Sequence, residues 1–262
     1  MDKLQLKIQE LLAAFPGRCS IVIVNLPTGE KWEYCHRTSF AAASMIKLPI
    51  MVEVMLQAAA GTISLDERLP VTSDVQTGGA GILTELQPGL NLTIRELVTL
   101  MIILSDNTAT NLLIDRIGMD SVNKTMATLG LTSTTLRRRM MDFEAASRGL
   151  ENTTSAGDLA LLFSHIYASQ IVPCEYGTLM LDILKRQQVR DKLPFYLPEE
   201  IVIAHKTGTL SGVEHDGGIL YLPHAPYIVC VLTDGHAANY EGLQLVALIG
   251  KVTYEYLMHK EH

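Results

Sequence analysis

Residues 40–61 read FAAASMIKLPIMVEVMLQAAAG. The run is apolar enough for a buried helix, yet Lys47 stands near its opening, three positions after Ser44. Positions three apart share a helix face, so the hydroxyl and the amine point the same way. A serine hydroxyl is a weak nucleophile until a base takes its proton. A lysine can do so only when neutral, a state favoured by burial among apolar groups and by nearby cations. The S-x-x-K spacing therefore predicts an activated nucleophile in a hydrophobic setting, although one such match also arises by chance. Pro49, five residues after Ser44, deletes a helix hydrogen bond to the Met45 carbonyl and predicts a local distortion with function kept.

On the N-terminal side of this helix, residues 1–15 place Leu4, Ile8, Leu11 and Leu12 at helical spacing among Gln, Lys and Glu. CSIVIVNLPTGEKWEYCHRTSF, residues 19–40, then reads as two β-rich runs joined by the turn formers Pro27, Thr28 and Gly29. On the other side, residues 62–190 read as mostly helical. Thr93 and Glu96 form a capping box, Gly118 closes a second helix from Thr108, and Thr154 or Ser155 caps a third. From Ile201 strands return as IVIAHKTGTL, GGILYLP and APYIVCVLTDG, and a final amphipathic helix follows. The pattern predicts an α+β architecture: an antiparallel sheet built from both ends of the chain, flanked by terminal helices, with an inserted all-helical domain. Residues 1–61 and 191–262 form the sheet domain, residues 62–190 the helical one, and a site is expected in the crevice between them.

Two further clusters carry chemistry. Ser105, Asp106 and Asn107 make a polar turn between apolar helices. Such residues suit an inter-helix cap; they also supply a hydroxyl to relay a proton to a leaving nitrogen and an amide to hold a substrate, and both readings can hold together. In HKTGTL, residues 205–210, Lys206 puts a charge on a strand and Gly208 weakens it, unless a ligand or another backbone must come close. A strand edge can hold an extended substrate and offer an N–H to an oxyanion, although an edge lysine also discourages aggregation.

Composition narrows the alternatives. With 28 acidic and 21 basic residues and net charge −7, the chain lacks the basic surface that nucleic acid requires. Cys19, Cys35, Cys174 and Cys230 show no C-x-x-C spacing and read as buried free thiols, with metal ligation or one disulfide as the alternatives; His36, His224 and His236 suggest no ligand spacing, so metal binding is a remote option. The first helix is amphipathic rather than leader-like, and no segment is long and apolar enough to span a membrane. The chain as written is expected in the cytoplasm, or secreted or periplasmic if a leader has been removed, and as a monomer. Arg137, Arg138 and Arg139 are expected to pair with the acidic loop after them or with solvent.

S-x-x-K, S-D-N and K-T-G in this order, at this spacing, resemble the class A serine β-lactamase family within the wider group of β-lactamases and penicillin-binding proteins, along nearly the whole chain. The resemblance implies a β-lactamase/transpeptidase-like fold and a serine hydrolase working through an acyl-enzyme, without cofactor, on a β-lactam or an acyl-D-Ala-D-Ala peptide. Ser44 would be acylated, Lys47 would act as its base or proton partner, and Ser105 with Lys206 would protonate the leaving nitrogen. The oxyanion would lie between the N–H groups of Ser44 and Thr209. Asn107 would hold the acyl amide, and Thr207 and Thr209 would meet the substrate carboxylate.

Two departures matter. The family's deacylating glutamate has no counterpart in LRRRMMDFEAASRGLENTTSAGDL, residues 136–159, where Met141 falls at its place when Arg139 is aligned with the family arginine. Asp142 and Glu144 are the nearby carboxylates that could substitute as base, or else they are solvated loop charges. His215 occupies the place where many class A enzymes carry an arginine facing the substrate carboxylate, so either it binds substrate more tightly as pH falls or it is a surface strand residue. The family reading is a β-lactamase. Its rivals are a D-Ala-D-Ala carboxypeptidase or transpeptidase with slow deacylation, and a non-catalytic β-lactam sensor.

Overall fold

The computed structural model describes residues 2–259. Helix α1 (Asp2–Ala13) leads into strands β1 (Arg18–Asn25), β2 (Lys31–Tyr34) and β3 (Phe40–Ala41), then a 3-10 turn (Ala43–Ile46) continuous with α2 (Lys47–Ala59). The middle of the chain holds β4 (Arg68–Val71), β5 (Leu90–Thr93), α3 (Ile94–Ile103), α4 (Asn107–Ile117), α5 (Met119–Thr128), α6 (Phe143–Ser147), β6 (Thr153–Thr154), α7 (Ala156–Tyr167) and α8 (Cys174–Lys185). Strands β7 (Val202–Leu210), β8 (Val213–Tyr221) and β9 (Pro226–Asp234) and helix α9 (Asn239–Met258) complete it.

Five strands form one antiparallel sheet in the order β2-β1-β9-β8-β7, so the two ends of the chain meet at the β1–β9 pair. The period-2 alternation of strand side chains divides the core. Val22, Ile219, Ile228, Cys230 and Leu232 face α2, α7 and the other inner helices. Ile21, Ile23, Leu220, Val229 and Val231 face Leu4 and Ile8 of α1 and Leu245, Val246 and Ile249 of α9. With both faces covered, β9 reads as a continuous apolar run, YIVCVL, rather than an alternating one.

The capping box at Thr93 is present, with its hydroxyl accepting from Glu96 N and the Glu96 carboxylate accepting from Thr93 N. Ser155, not Thr154, caps α7, since Thr154 belongs to β6. The segment 62–190 is less uniformly helical than its periodicity suggested: β4 and β5 form a two-stranded ribbon, and β6 pairs with β3. Strands this short and mixed in polarity are too brief for an alternation to be read. Cys35 and Cys174 are exposed, whereas Cys19 and Cys230 are buried, and all four are free. Pro49 sits in the first turn of α2, just after the switch from 3-10 to α geometry, where its missing N–H costs least.

Candidate active site

The start of α2, the turn between α3 and α4, and edge strand β7 converge. Lys47 is fully buried, and its Nζ donates to the Ser105 carbonyl at 2.6 Å, to Asn107 Oδ1 at 2.8 Å and to Ser105 Oγ at 3.1 Å. From the opposite side Lys206 Nζ, also fully buried, reaches Ser105 Oγ at 3.1 Å and the Thr207 carbonyl at 2.7 Å. One serine hydroxyl thus bridges two lysines that lie far apart in sequence. Ser44, half-buried in the 3-10 turn one step before Lys47, lines a cavity of about 180 Å³ together with Asn107 and Thr209.

Local sequence explains the placement. After Leu104, the C-cap of α3, Ser105 adopts φ +56°, a left-handed conformation that costs a non-glycine residue about 1 kcal/mol or more and is characteristic of functional turns. Asp106 then caps α4, accepting from Ala109 N at 2.9 Å, as the cap reading of this triplet expects. The other Asp106 oxygen accepts from Ile82 N at 2.7 Å and Leu83 N at 2.9 Å, pinning the loop that carries Gly78, whose carbonyl accepts from Asn107 Nδ2 at 2.9 Å. Gly81 has φ +114° and a Cβ there would lie 2.3 Å from Asp106 Oδ2, which only glycine avoids. The G-G-A-G run at residues 78–81 was the overlooked sequence signal for this wall of the site.

Gly208 lets β7 approach Ser44. A Cβ at that position would stand 3.2 Å from Ala43 Cβ and from Met45 Cγ and 3.3 Å from Ser44 N.

Burial dominates the electrostatics. Desolvation holds the Lys47 amine down to about 7, with Asp106 opposing the shift. Lys206 is held well below the usual lysine range, first by burial and then by the positive charges of Lys47 and Lys192, against Asp216. Two amines inclined to neutrality around a shared hydroxyl can accept and pass on protons.

Three expected residues stand elsewhere. His215 is fully buried in β8, with Nε2 2.9 Å from the Ala41 carbonyl, Nδ1 accepting from Thr233 N at 3.2 Å, and its ring edge-on to Phe40. It is neither substrate-facing nor on the surface, because β8 lies between two strands with both faces covered. Asp142 caps α6, accepting from Ala145 N at 2.9 Å, and Glu144 pairs with Arg148 in solvent, its side chain 82% exposed. Neither carboxylate lines the Ser44 cavity. Met141, at φ +62°, and Phe143 do line it. Thr207 is buried on β7, and the Thr209 hydroxyl is engaged behind the strand, accepting from Lys192 Nζ at 2.8 Å and donating to Glu214 at 2.9 Å.

Glu151, missed in the sequence, also lines the cavity. Its Oε1 accepts from Arg138 at 2.8 Å and 3.0 Å and from Asn152 N at 2.9 Å. Arg138, Glu151 and Asn152 close the neck of the loop, while Arg139 pairs with Asp115.

Fold and site together define a β-lactamase/transpeptidase-like protein. A model of the Beta-lactamase enzyme family matches residues 3–257, and the chain belongs to that family. A β-lactamase from Sphaerobacter thermophilus shares 32% identity, with TM-score 0.88 over 96% of this chain and 95% of that one. A penicillin-binding protein called PBP-A, solved as a leucine-to-glutamate variant in an acyl-enzyme complex with penicillin G, shares 30% identity, with TM-score 0.90 over 98% and 97%. The β-lactamase of Bacillus licheniformis is 28% identical over 250 residues, 93% of this chain and 80% of that protein.

Proposed function

We propose that Ser44 is acylated by β-lactams and by acyl-D-alanyl-D-alanine peptides, and that the acyl-enzyme is released slowly, as in a penicillin-binding protein. The observation that carries this reading is the buried Lys47–Ser105–Lys206 bridge beside the Ser44 cavity. Ser44 Oγ attacks the carbonyl carbon and its proton passes to neutral Lys47. The resulting oxyanion rests between the N–H groups of Ser44 and Thr209, where loss of one donor costs about 3 kcal/mol of barrier. As the carbon–nitrogen bond breaks, Ser105 gives its proton to the leaving nitrogen and takes one from the adjoining lysines. Asn107, lining the cavity, offers its amide to the acyl group.

Slow release is supported by what surrounds the cavity. Met140, Met141, Phe143 and Leu210 form an apolar wall, and Asp142 and Glu144 lie outside it. A general base must reach its water within hydrogen-bond distance. The second reading, sustained β-lactam hydrolysis, rests on Glu151, the one carboxylate among the cavity's described lining residues.

Mixing the protein with excess chromogenic cephalosporin separates these readings. The expected result is a burst equal to the enzyme concentration followed by slow turnover, abolished in Ser44→Ala. Rapid turnover that Glu151→Gln suppresses establishes the second reading, and absence of a burst with Ser44 unmodified overturns both.

A further inference from the structure

A third buried lysine lies on the far side of β7 from Ser44, outside the chemistry so far described. Lys192, in the segment between α8 and β7, is 1% exposed. Its Nζ stands 2.5 Å from Glu214 Oε2, 2.8 Å from Thr209 Oγ1, 2.9 Å from the Gly208 carbonyl and 3.3 Å from the His215 carbonyl. Glu214 is itself buried and is fixed by Thr209 Oγ1 at 2.9 Å and by Asn239 Nδ2 at 2.7 Å, while that Asn239 nitrogen also donates to the Leu210 carbonyl at 2.7 Å.

The Gly208 carbonyl belongs to the same peptide unit as the Thr209 N–H. Gly208 and His215 are register partners, and one ammonium touches both of their carbonyl oxygens, so the Gly208 carbonyl points toward β8. In a planar trans peptide the N–H points the opposite way. For β7, the edge strand, that direction is the open side of the sheet, and Ser44 N lies close by, over the face of the neighbouring Gly208. A cation on the carbonyl fixes the peptide plane and, through hydrogen-bond cooperativity in a dry setting, strengthens the N–H as a donor.

We infer that Lys192, held by Glu214, is a positioning residue that clamps and polarises the Gly208–Thr209 peptide, so that the Thr209 N–H is aimed at the oxyanion formed on acylation of Ser44. The inference rests on the proposed acylation of Ser44 and extends it to a residue that contacts no substrate. Lysine suits the place because its ammonium has three donors, one each for the Glu214 carboxylate, the Thr209 hydroxyl and the Gly208 carbonyl, with the His215 carbonyl at 3.3 Å the longest of the four contacts. The arrangement also gives Glu214 and Lys192 each a partner, without which a buried charge is strongly destabilising.

The test uses the full chain with a penicillin and two variants: Lys192→Met combined with Glu214→Gln, which removes both charges together, and Lys192→Gln, which keeps a donor without the charge. Rapid-mixing measurements separate the non-covalent dissociation constant from the acylation rate constant, and infrared difference spectra report the ester carbonyl of the acyl-enzyme. The double variant is expected to acylate about a hundredfold more slowly, with the dissociation constant within about twofold and the ester carbonyl stretch moved to higher wavenumber as its hydrogen bond weakens. Lys192→Gln is expected to fall between the double variant and the wild type. Either folded variant acylating at the wild-type rate, or a loss confined to the dissociation constant with the carbonyl stretch unmoved, overturns the clamp. Absence of any acyl adduct on the wild type removes the reading of Ser44 and the clamp with it.

Discussion

Lys47 and His215 show how burial acts on single residues with opposite consequences for function. Desolvation brings the Lys47 amine from 10.5 to about 7, so its basic form grows as pH rises through neutrality. The acylation rate with a penicillin should climb through about pH 7 and level off above it; a flat profile from pH 5.5 to 8.5 contradicts a lysine base. The sign for stability follows from the same shift. Between about pH 7 and 10.5 the unfolded chain holds a proton on this lysine that the folded chain has released, so folding gains with rising pH. Relative to Lys47→Met, the wild type should gain up to about 1.4 kcal/mol per pH unit in that window and nothing below it, measured by denaturant melts. His215, buried and lowered from 6.5 to about 4 mainly by desolvation, stays neutral over the working range. Its charge therefore leaves the Michaelis constant of a carboxylate substrate unchanged from pH 5 to 8. The unfolded chain takes up this proton first as pH falls, so the wild type should lose about 3 kcal/mol more than His215→Gln between pH 7 and 4. An equal acid response in the two proteins contradicts a buried neutral ring.

Among the elements, β7 and the start of α2 set the precision of the site. Gly208 allows their contact: a methyl group there would crowd Ala43, Met45 and the Ser44 amide within 3.2–3.3 Å. Gly208→Ala should push strand and turn apart by a few tenths of an ångström and slow acylation about tenfold, since small misplacements of reacting groups are costly. Its melting temperature should fall little. Wild-type acylation in Gly208→Ala contradicts the tight fit. The loop after α5 poses the complementary problem, because Met141, and neither Asp142 nor Glu144, lines the cavity beside it. Met141→Glu should speed release of a penicilloyl adduct at least tenfold, read by regain of free Ser44 after gel filtration. An unchanged release rate contradicts the account of that wall.

At the scale of the whole molecule, the terminal strands, the capped helices and the three short motifs were legible because each follows local physics: β-rich runs, capping chemistry and charge in apolar settings. The ribbon of β4 and β5 was not, since its strands are short and mixed in polarity. His215 was misjudged because a strand between Glu214 and Asp216 looks solvated, whereas both acids are themselves buried, with Lys192 and His205 as partners. Lys192 and Glu151 stayed hidden for the same reason: their roles depend on partners brought together only by the sheet and by the loop neck. Local residue types mark the reacting groups, while the buried polar groups that aim them are written in tertiary contacts.

Ser44, Lys47, Ser105 and Lys206 are proposed to act as one acylating centre with poor means of release. Intact-protein mass spectrometry after brief exposure to a penicillin and removal of the excess tests it directly. The expected result is one penicilloyl group per chain, located on the peptide containing Ser44 and persisting for hours. An unmodified chain beside intact penicillin would contradict it.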